Sequence, residues 1–249
     1  METIENKKIL VIGDIHGHTQ WSDIYESENA DLTVFLGDYV DTFRDVNSKA
    51  YNYISPKEQL ENLKKILSLP QENNICILGN HDLGYVDMKY RCSGWTTDKA
   101  ALFSETYKSA FNEGRIIPTF TIGKFLFSHA GVSKTWMKNH AMIYEGDTTR
   151  MASIEELNKV NIHEYNFNMD GGYSPTGDSI GNSPLWIRPS SLAMDAVDEY
   201  VQIVGHTPVK WSVSNIDNKI YVNDALHLGQ YIVIENGEVL IRKKTKFID

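Results

Sequence analysis

Five short segments of this 249-residue chain bring Asp, Asn or His side chains together with small residues. They are Gly13-Asp14-Ile15-His16-Gly17, Gly37-Asp38-Tyr39-Val40-Asp41, Gly79-Asn80-His81-Asp82, Ser128-His129-Ala130-Gly131 and Gly205-His206-Thr207. Together they offer carboxylate and amide oxygens and imidazole nitrogens, with no thiolate. That donor set suits Mn, Fe, Zn or Co better than calcium or a structural zinc. Two such ions about 3.5–4 Å apart, bridged by a carboxylate, clamp the attacking and leaving oxygens of a phosphoryl transfer. They also lower the pKa of a bound water, so that hydroxide exists near neutral pH. No serine or cysteine lies in a nucleophile motif, so direct attack by hydroxide is the simplest chemistry for these residues.

Something must hold the five segments in register. Each follows a short apolar run that reads as a buried strand: residues 8–12, 32–36, 75–78, 124–127 and 201–204. Ligands of open α/β sheets bind at the carboxyl ends of strands, and glycine there allows a tight turn and close backbone approach. Between the second and third runs, Ser55 and Glu58 have capping-box spacing and Pro56 sits at the first helical position. Leu60, Leu63, Ile66 and Leu67 then recur at helical spacing before Pro70. A second helix is expected over about residues 98–112, ended by Gly114. Strand–helix–strand order implies crossovers and a largely parallel inner sheet. Runs 219–222, 231–235 and 238–242 have no helix between them, and Asn236-Gly237 is a type I′ hairpin signal. The expected fold class is α/β, with two packed mixed β-sheets flanked by helices. A single domain over 1–249 is expected, with an irregular insertion at about 139–190. That insertion holds a short helix at 154–160 capped by Ser153 and Glu156, and a polar loop at 170–184 that reads as a lid.

Composition narrows the classes. The formal net charge of -9 argues against dedicated nucleic-acid binding, and the basic tail from Arg242 to Lys246 reads as a solvated edge. It does not exclude a phosphorylated substrate, because bound metal ions reverse the local sign. Cys76 and Cys92 neither make a zinc cluster nor suggest a disulfide framework. The apolar run at 9–12 is too short for a signal peptide or a membrane span, so a cytoplasmic protein without membrane partners is expected.

The ordered set GDIHG, GDYVD, GNHD, SHAG and GHT resembles the calcineurin-like metallophosphoesterase superfamily, most closely its phosphoprotein phosphatase branch and the bacterial and phage relatives. The resemblance runs from Asp14 to His206 and implies a role for each motif residue. Asp14 and His16 would hold the first metal, Asp38 would bridge both, and Asn80, His129 and His206 would hold the second. Manganese is the expected ion, with iron or zinc as alternatives. His81 would be the general acid, oriented by Asp41, because a carboxylate partner fixes the tautomer of an imidazole and raises its basicity. Asn80 would also touch the phosphate. The family places an arginine directly after the second Asp of the second motif, where this chain has Thr42. Arg44 and Arg188, the latter in a Leu185-Trp186-Ile187-Arg188-Pro189 stretch similar to the family's LW-x-R segment, are the candidates to clamp phosphate.

The resemblance implies hydrolysis of a phosphomonoester of the phosphoserine or phosphothreonine class. Dinucleoside polyphosphates or phosphodiesters are the alternative on the same core, and a non-catalytic scaffold is the third reading. Among the remaining residues, Asp82 reads as a hydrogen-bonding brace for its loop and Asp224 as a carboxylate near the site. His18, His140, His163 and His227 read as surface or packing residues.

Overall fold

Alternation along the first strand explains how the layers are built. The computed structural model describes residues 7–42, 54–167 and 178–244. In β1 (Ile9–Ile12) every residue is buried. Ile9 and Val11 join an apolar cluster with Phe125, Phe127, Ile203 and Ile232. Leu10 and Ile12 join another with Trp21, Leu63, Ile66 and Phe103. A strand sends successive side chains to opposite faces. One face of β1 therefore meets a second sheet and the other meets helices. Full burial of each such side chain stabilises the fold by roughly 1.5–3 kcal/mol.

The first sheet pairs β1 in parallel with β2 (Leu32–Phe35), β2 with β3 (Asn74–Ile77) and β3 with the short β4 (Ile116–Ile117). The crossovers are α1 (Gln20–Glu28), α2 (Pro56–Leu67), and the pair α3 (Asn80–Val86) and α4 (Thr97–Asn112). The second sheet begins with the antiparallel pair β5 (Thr119–Ile122) and β6 (Phe125–Ser128). After α5 (Lys134–His140), the separate hairpin of β7 (Met142–Glu145) and β8 (Thr148–Met151), and α6 (Pro189–Asp195), β9 (Val201–Pro208) pairs in parallel with β6. Then β10 (Ser214–Ile216) pairs antiparallel with β11 (Ile220–Asp224), which lies parallel to β9. The chain returns to the first sheet as β12 (Gln230–Glu235), antiparallel to β1, and β13 (Glu238–Lys243) closes that edge. The two mixed sheets flanked by helices are the architecture expected from sequence.

Local signals explain several elements. The capping box of α2 forms as the sequence implies: the Ser55 hydroxyl accepts from the Glu58 N–H, and the Glu58 carboxylate accepts from the Ser55 N–H. At its far end, Arg115 satisfies the carbonyls of Ile66, Leu67 and Leu69 as well as that of Asn74. This buried guanidinium finds its compensation in the negative end of α2. Asn236 and Gly237 both have positive φ, 52° and 75°, as a type I′ turn requires.

Two elements differ from expectation. The segment expected as a helix over 154–160 is a 3-10 helix over Ile154–Lys159, with its capping box in place. Its bonds are i to i+3: the Glu156 N–H donates to the Ser153 carbonyl at 3.1 Å and the Val160 N–H to the Leu157 carbonyl at 3.0 Å. The fifth run does not stop at residue 204: β9 continues through Gly205, His206 and Thr207, so that motif lies on a strand rather than in a loop after it.

Candidate active site

The carboxyl ends of β1, β2, β3 and β6 and the second half of β9 converge, and they carry the five motifs to one place. Gly79 shows why the motifs need glycine: a Cβ there would lie 2.1 Å from Asp38 Oδ1. The missing side chain lets the carboxylate rest against the next motif's backbone, and His81 N–H donates to that same Asp38 oxygen at 2.9 Å. Four motif residues, His16, Asp38, Asp41 and His206, have φ between 43° and 63°. Left-handed backbone in non-glycine residues costs energy and concentrates at functional sites.

Asp14, Asp38 and His129 each offer a ligand atom, and these atoms lie within 4.8 Å of one another in a buried cluster. His16 Nε2 lies 3.9 Å from Asp14 Oδ2 and 3.9 Å from Asp38 Oδ2. On the other side, Asn80 Oδ1 meets His129 Nε2 at 2.8 Å and His206 Nδ1 at 2.9 Å. The two groups share Asp38, whose Oδ2 is also 3.4 Å from His129 Nε2.

Imidazole tautomers give the test of whether a cation fits. His129 Nδ1 lies 2.8 Å from the Leu36 carbonyl, and His16 Nδ1 lies 3.1 Å from the Val40 carbonyl. A carbonyl can only accept, so both Nδ1 atoms carry hydrogen, and in the neutral ring Nε2 is then the nitrogen whose lone pair a cation would take. Metal-ligating histidines are commonly held this way, the other ring N–H given to a carbonyl that fixes the ring's orientation. Burial pushes the pKa of His16 down to about 4 and that of His206 well below its usual value, so both stay neutral. Burial, then the charges of Asp224 and Asp38, push the Asp14 carboxyl well above the carboxylate range. For His129, burial favours the neutral ring, but the carboxylates of Asp38 and Asp14 outweigh it and hold the pKa up at about 9. The attraction that draws a proton to His129 acts equally on a divalent cation. The residues present therefore fit divalent metal.

His81 stands beside this cluster, its ring 5.5 Å from that of His16 and edge-on to it. Its Nδ1 donates to Asp41 Oδ2 at 3.3 Å. Burial disfavours its charged form, yet the Asp38 charge and the Asp41 hydrogen bond hold its pKa up at about 11. Asp41 also accepts from the Tyr85 hydroxyl and from Lys99 Nζ, and its N–H donates to Gln59 Oε1. Asp82 is the brace expected from sequence: its carboxylate accepts the N–H groups of Asp38, Tyr39 and Gly79 and the hydroxyl of Tyr107. Asp224, buried at the end of β11, follows a register irregularity in the pairing with β9 and sits in the field of Asp38.

Arg188 is half-buried and donates to the His206 carbonyl and the Thr207 hydroxyl, both at 3.2 Å. Its charge acts on Asp224 and His206, so it flanks the cluster. Arg44 lies outside the described residues. Thr42, which stands where an arginine was sought, donates its hydroxyl to the His16 carbonyl at 2.6 Å. Lys99, Tyr85, Gln59 and Tyr107 were not singled out from sequence. Of these, only Gln59 and Tyr107 carried a signal, as polar residues on the buried faces of their helices.

The parallel strands, the five convergent motifs and the buried carboxylate–imidazole cluster together define a metallophosphoesterase. The chain belongs to the calcineurin-like phosphoesterase family, whose model matches residues 7–236, and it is accordingly a phosphoesterase. Among solved structures it is similar to a cold-active protein-tyrosine phosphatase of a psychrophilic Shewanella species, at 18% identity and a TM-score of 0.55, covering 95% of this chain and 77% of that one. It is also similar to a protein serine/threonine phosphatase from Saccharomyces cerevisiae, at 15% identity and a TM-score of 0.49, covering 99% and 82%. A putative diadenosine tetraphosphatase matches at 15% identity and a TM-score of 0.48, covering 98% and 97%. At 18% identity the likeness to the first of these is one of fold. No curated protein sequence matches the chain. Among the described residues no helix is long and apolar enough to cross a membrane.

Proposed function

We propose that this chain hydrolyses phosphomonoesters, with phosphoserine or phosphothreonine as its substrate class. Asp14, His16, Asp38, Asn80, His129 and His206 would hold two divalent ions, manganese in this reading. Such ions, when bound, supply Lewis-acid stabilisation of phosphoryl charge and lower the pKa of water to near neutrality. The observation that carries the reading is the buried His81–Asp41 pair beside the carboxylate–imidazole cluster. A protonated imidazole whose Nδ1–H is committed to a carboxylate can give the proton on its other nitrogen to a departing alkoxide. His81 gives that proton to the leaving oxygen while Asp41 keeps the ring in place. Arg188 would hold non-bridging phosphate oxygens as a planar fork, and Asn80 would offer its amide hydrogens to the same group.

One observation favours a second reading. Thr42 replaces the arginine sought after Asp41, and its hydroxyl is already committed to the His16 carbonyl. A dinucleoside polyphosphate or a phosphodiester has no terminal phosphate for an arginine at that position to hold. Product analysis separates the two. The manganese-loaded protein is expected to release inorganic phosphate from a phosphoserine peptide, with the His81→Ala variant slower by roughly 10²-fold or more. Release of mononucleotides from diadenosine tetraphosphate, with the phosphopeptide left intact, would reject the phosphomonoesterase reading in favour of the second.

A further inference from the structure

Lys99 occupies an unusual place for a lysine. The Thr96 hydroxyl caps α4 by accepting the Lys99 N–H, which puts Lys99 in the first turn of the helix. That end of a helix carries partial positive charge and favours acidic residues. Something must compensate, and it is Asp41, 58 residues earlier in the chain: Lys99 Nζ lies 2.6 Å from Asp41 Oδ1. The ammonium also donates to the Gly94 carbonyl at 2.8 Å. Its side chain is 18% exposed and that of Asp41 is wholly buried, so the pair is largely shielded from water.

The segment around Lys99 fits closely over Asp41. Gly94 has φ +86°, and a Cβ there would lie 3.0 Å from both Cβ and Cγ of Asp41. Gly94 therefore rests on the carboxylate side chain itself, and its carbonyl holds the lysine that grips the same carboxylate. The two oxygens of Asp41 are divided. Oδ1 takes Lys99, Oδ2 takes His81 Nδ1, and the Tyr85 hydroxyl approaches both at 2.9 and 3.0 Å. An ion pair on one oxygen fixes the carboxylate plane and leaves the other directed at the imidazole.

From this geometry we propose that Lys99 is a positioning residue: it holds Asp41 so that His81 presents its second N–H to the leaving oxygen. The proposal rests on the phosphomonoesterase reading and deepens it. It assigns Lys99 to the acid–carboxylate pair rather than to the substrate phosphate. Lys99 touches neither reacting atom nor phosphate in this role. Its effect must therefore appear where proton donation matters and vanish where it does not.

Leaving-group chemistry supplies the test. A departing serine alkoxide needs a proton, whereas p-nitrophenolate leaves without one. Wild type, Lys99→Met and Lys99→Arg are assayed as manganese-loaded proteins on a phosphoserine peptide and on p-nitrophenyl phosphate, with Tm recorded for each. Lys99→Met is expected to lower kcat on the peptide by roughly tenfold or more, with KM within about threefold of wild type. On p-nitrophenyl phosphate kcat is expected to fall less than about threefold. Lys99→Arg, which keeps the charge, is expected to recover most of the peptide rate. If Lys99→Met does not fold, Lys99→Gln, which keeps a polar head one bond shorter but loses the charge, is read in its place for the same substrate contrast. Equal losses on both substrates, a raised KM with unchanged kcat, or no change at all would overturn the proposal. Wild type inactive on both substrates would instead overturn the phosphomonoesterase reading on which it rests.

Discussion

Asp14 occupies the space that a side chain on Gly205 would need: a Cβ at Gly205 would lie 2.1 Å from Asp14 Oδ1. The next residue secures the arrangement, because the His206 N–H donates to both oxygens of Asp14, at 3.0 and 3.1 Å. The first and last motifs of the chain are thus locked together through a glycine and a backbone hydrogen bond.

Gly205→Ala is therefore expected to push the Asp14 carboxylate out of place and to lower divalent-ion affinity by roughly 10–100-fold. Manganese titration by calorimetry reads this directly. Wild-type affinity in the variant would show that Asp14 is not a ligand held by that contact.

Charge crowding at the centre gives a stability prediction. Asp14 and Asp224 are each buried in the field of Asp38, and both carboxyls are raised, Asp224 to about 7. A divalent ion relieves that repulsion only in the folded chain. Manganese added to metal-stripped protein at about 100 times its Kd is expected to stabilise by about 2.7 kcal/mol for one site. Asp38→Asn is expected to lose most of the gain, since Asp38 joins both groups of donors. Calorimetric melting with and without manganese checks this, and an identical Tm in both conditions contradicts it.

Asp82 braces two motifs at once through four donors. An asparagine has one acceptor oxygen, so Asp82→Asn turns an amide NH2 toward buried N–H groups. With its oxygen kept on the Asp38 and Gly79 N–H groups, the amide leaves the Tyr39 N–H unpaired while the Tyr107 hydroxyl turns to accept, so a loss of about 1–3 kcal/mol is expected in urea unfolding. Tyr107→Phe removes one donor and leaves no backbone group unpaired, and is expected to cost about 1 kcal/mol. Equal costs for the two variants would contradict this account of the brace.

Far from the site, Glu28 ties β12, β13 and the start of β1 together at one edge of the first sheet. Its carboxylate accepts from Tyr231 at 2.6 Å and Arg242 at 2.8 Å, and Lys8 Nζ lies 2.7 Å away. Burial opposes its charge, but the hydrogen bonds from Lys8 and Tyr231 outweigh this and hold its pKa below the ordinary 4.5. A depressed carboxylate pKa stabilises the fold above the unfolded value and ceases to do so as pH falls through the folded value. Glu28→Gln is expected to cost about 1–3 kcal/mol at pH ~7. That deficit should shrink from pH ~5 downward, as wild type loses the charge. A deficit independent of pH would contradict this.

The motif strands were legible because each compresses its signal into about ten consecutive residues: an apolar run, a small residue, then a ligand. Asp82 was legible as a brace for the same reason. Lys99 and Tyr85 were not, because their bond to Asp41 joins chain segments 58 and 44 residues apart. Nothing local to either residue marks it. Helix α3 escaped periodicity because it spans seven residues and begins on the motif itself. The β7–β8 hairpin escaped because β8 is exposed along its whole length, so no alternation of apolar and polar residues records the strand. Residues 43–53 and 168–177, with Arg44 and much of the 170–184 loop, fall outside the described residues, so those expectations stand on sequence alone.

Phosphoester hydrolysis at this centre is expected to require divalent metal. Hydrolysis of p-nitrophenyl phosphate by metal-stripped protein, before and after manganese is restored, tests the metal requirement most directly when Asp38→Asn is run alongside. Turnover is expected to appear with manganese and to fall by roughly 10²-fold or more in the variant. Turnover by the stripped protein, or an Asp38→Asn variant as active as wild type, would contradict it.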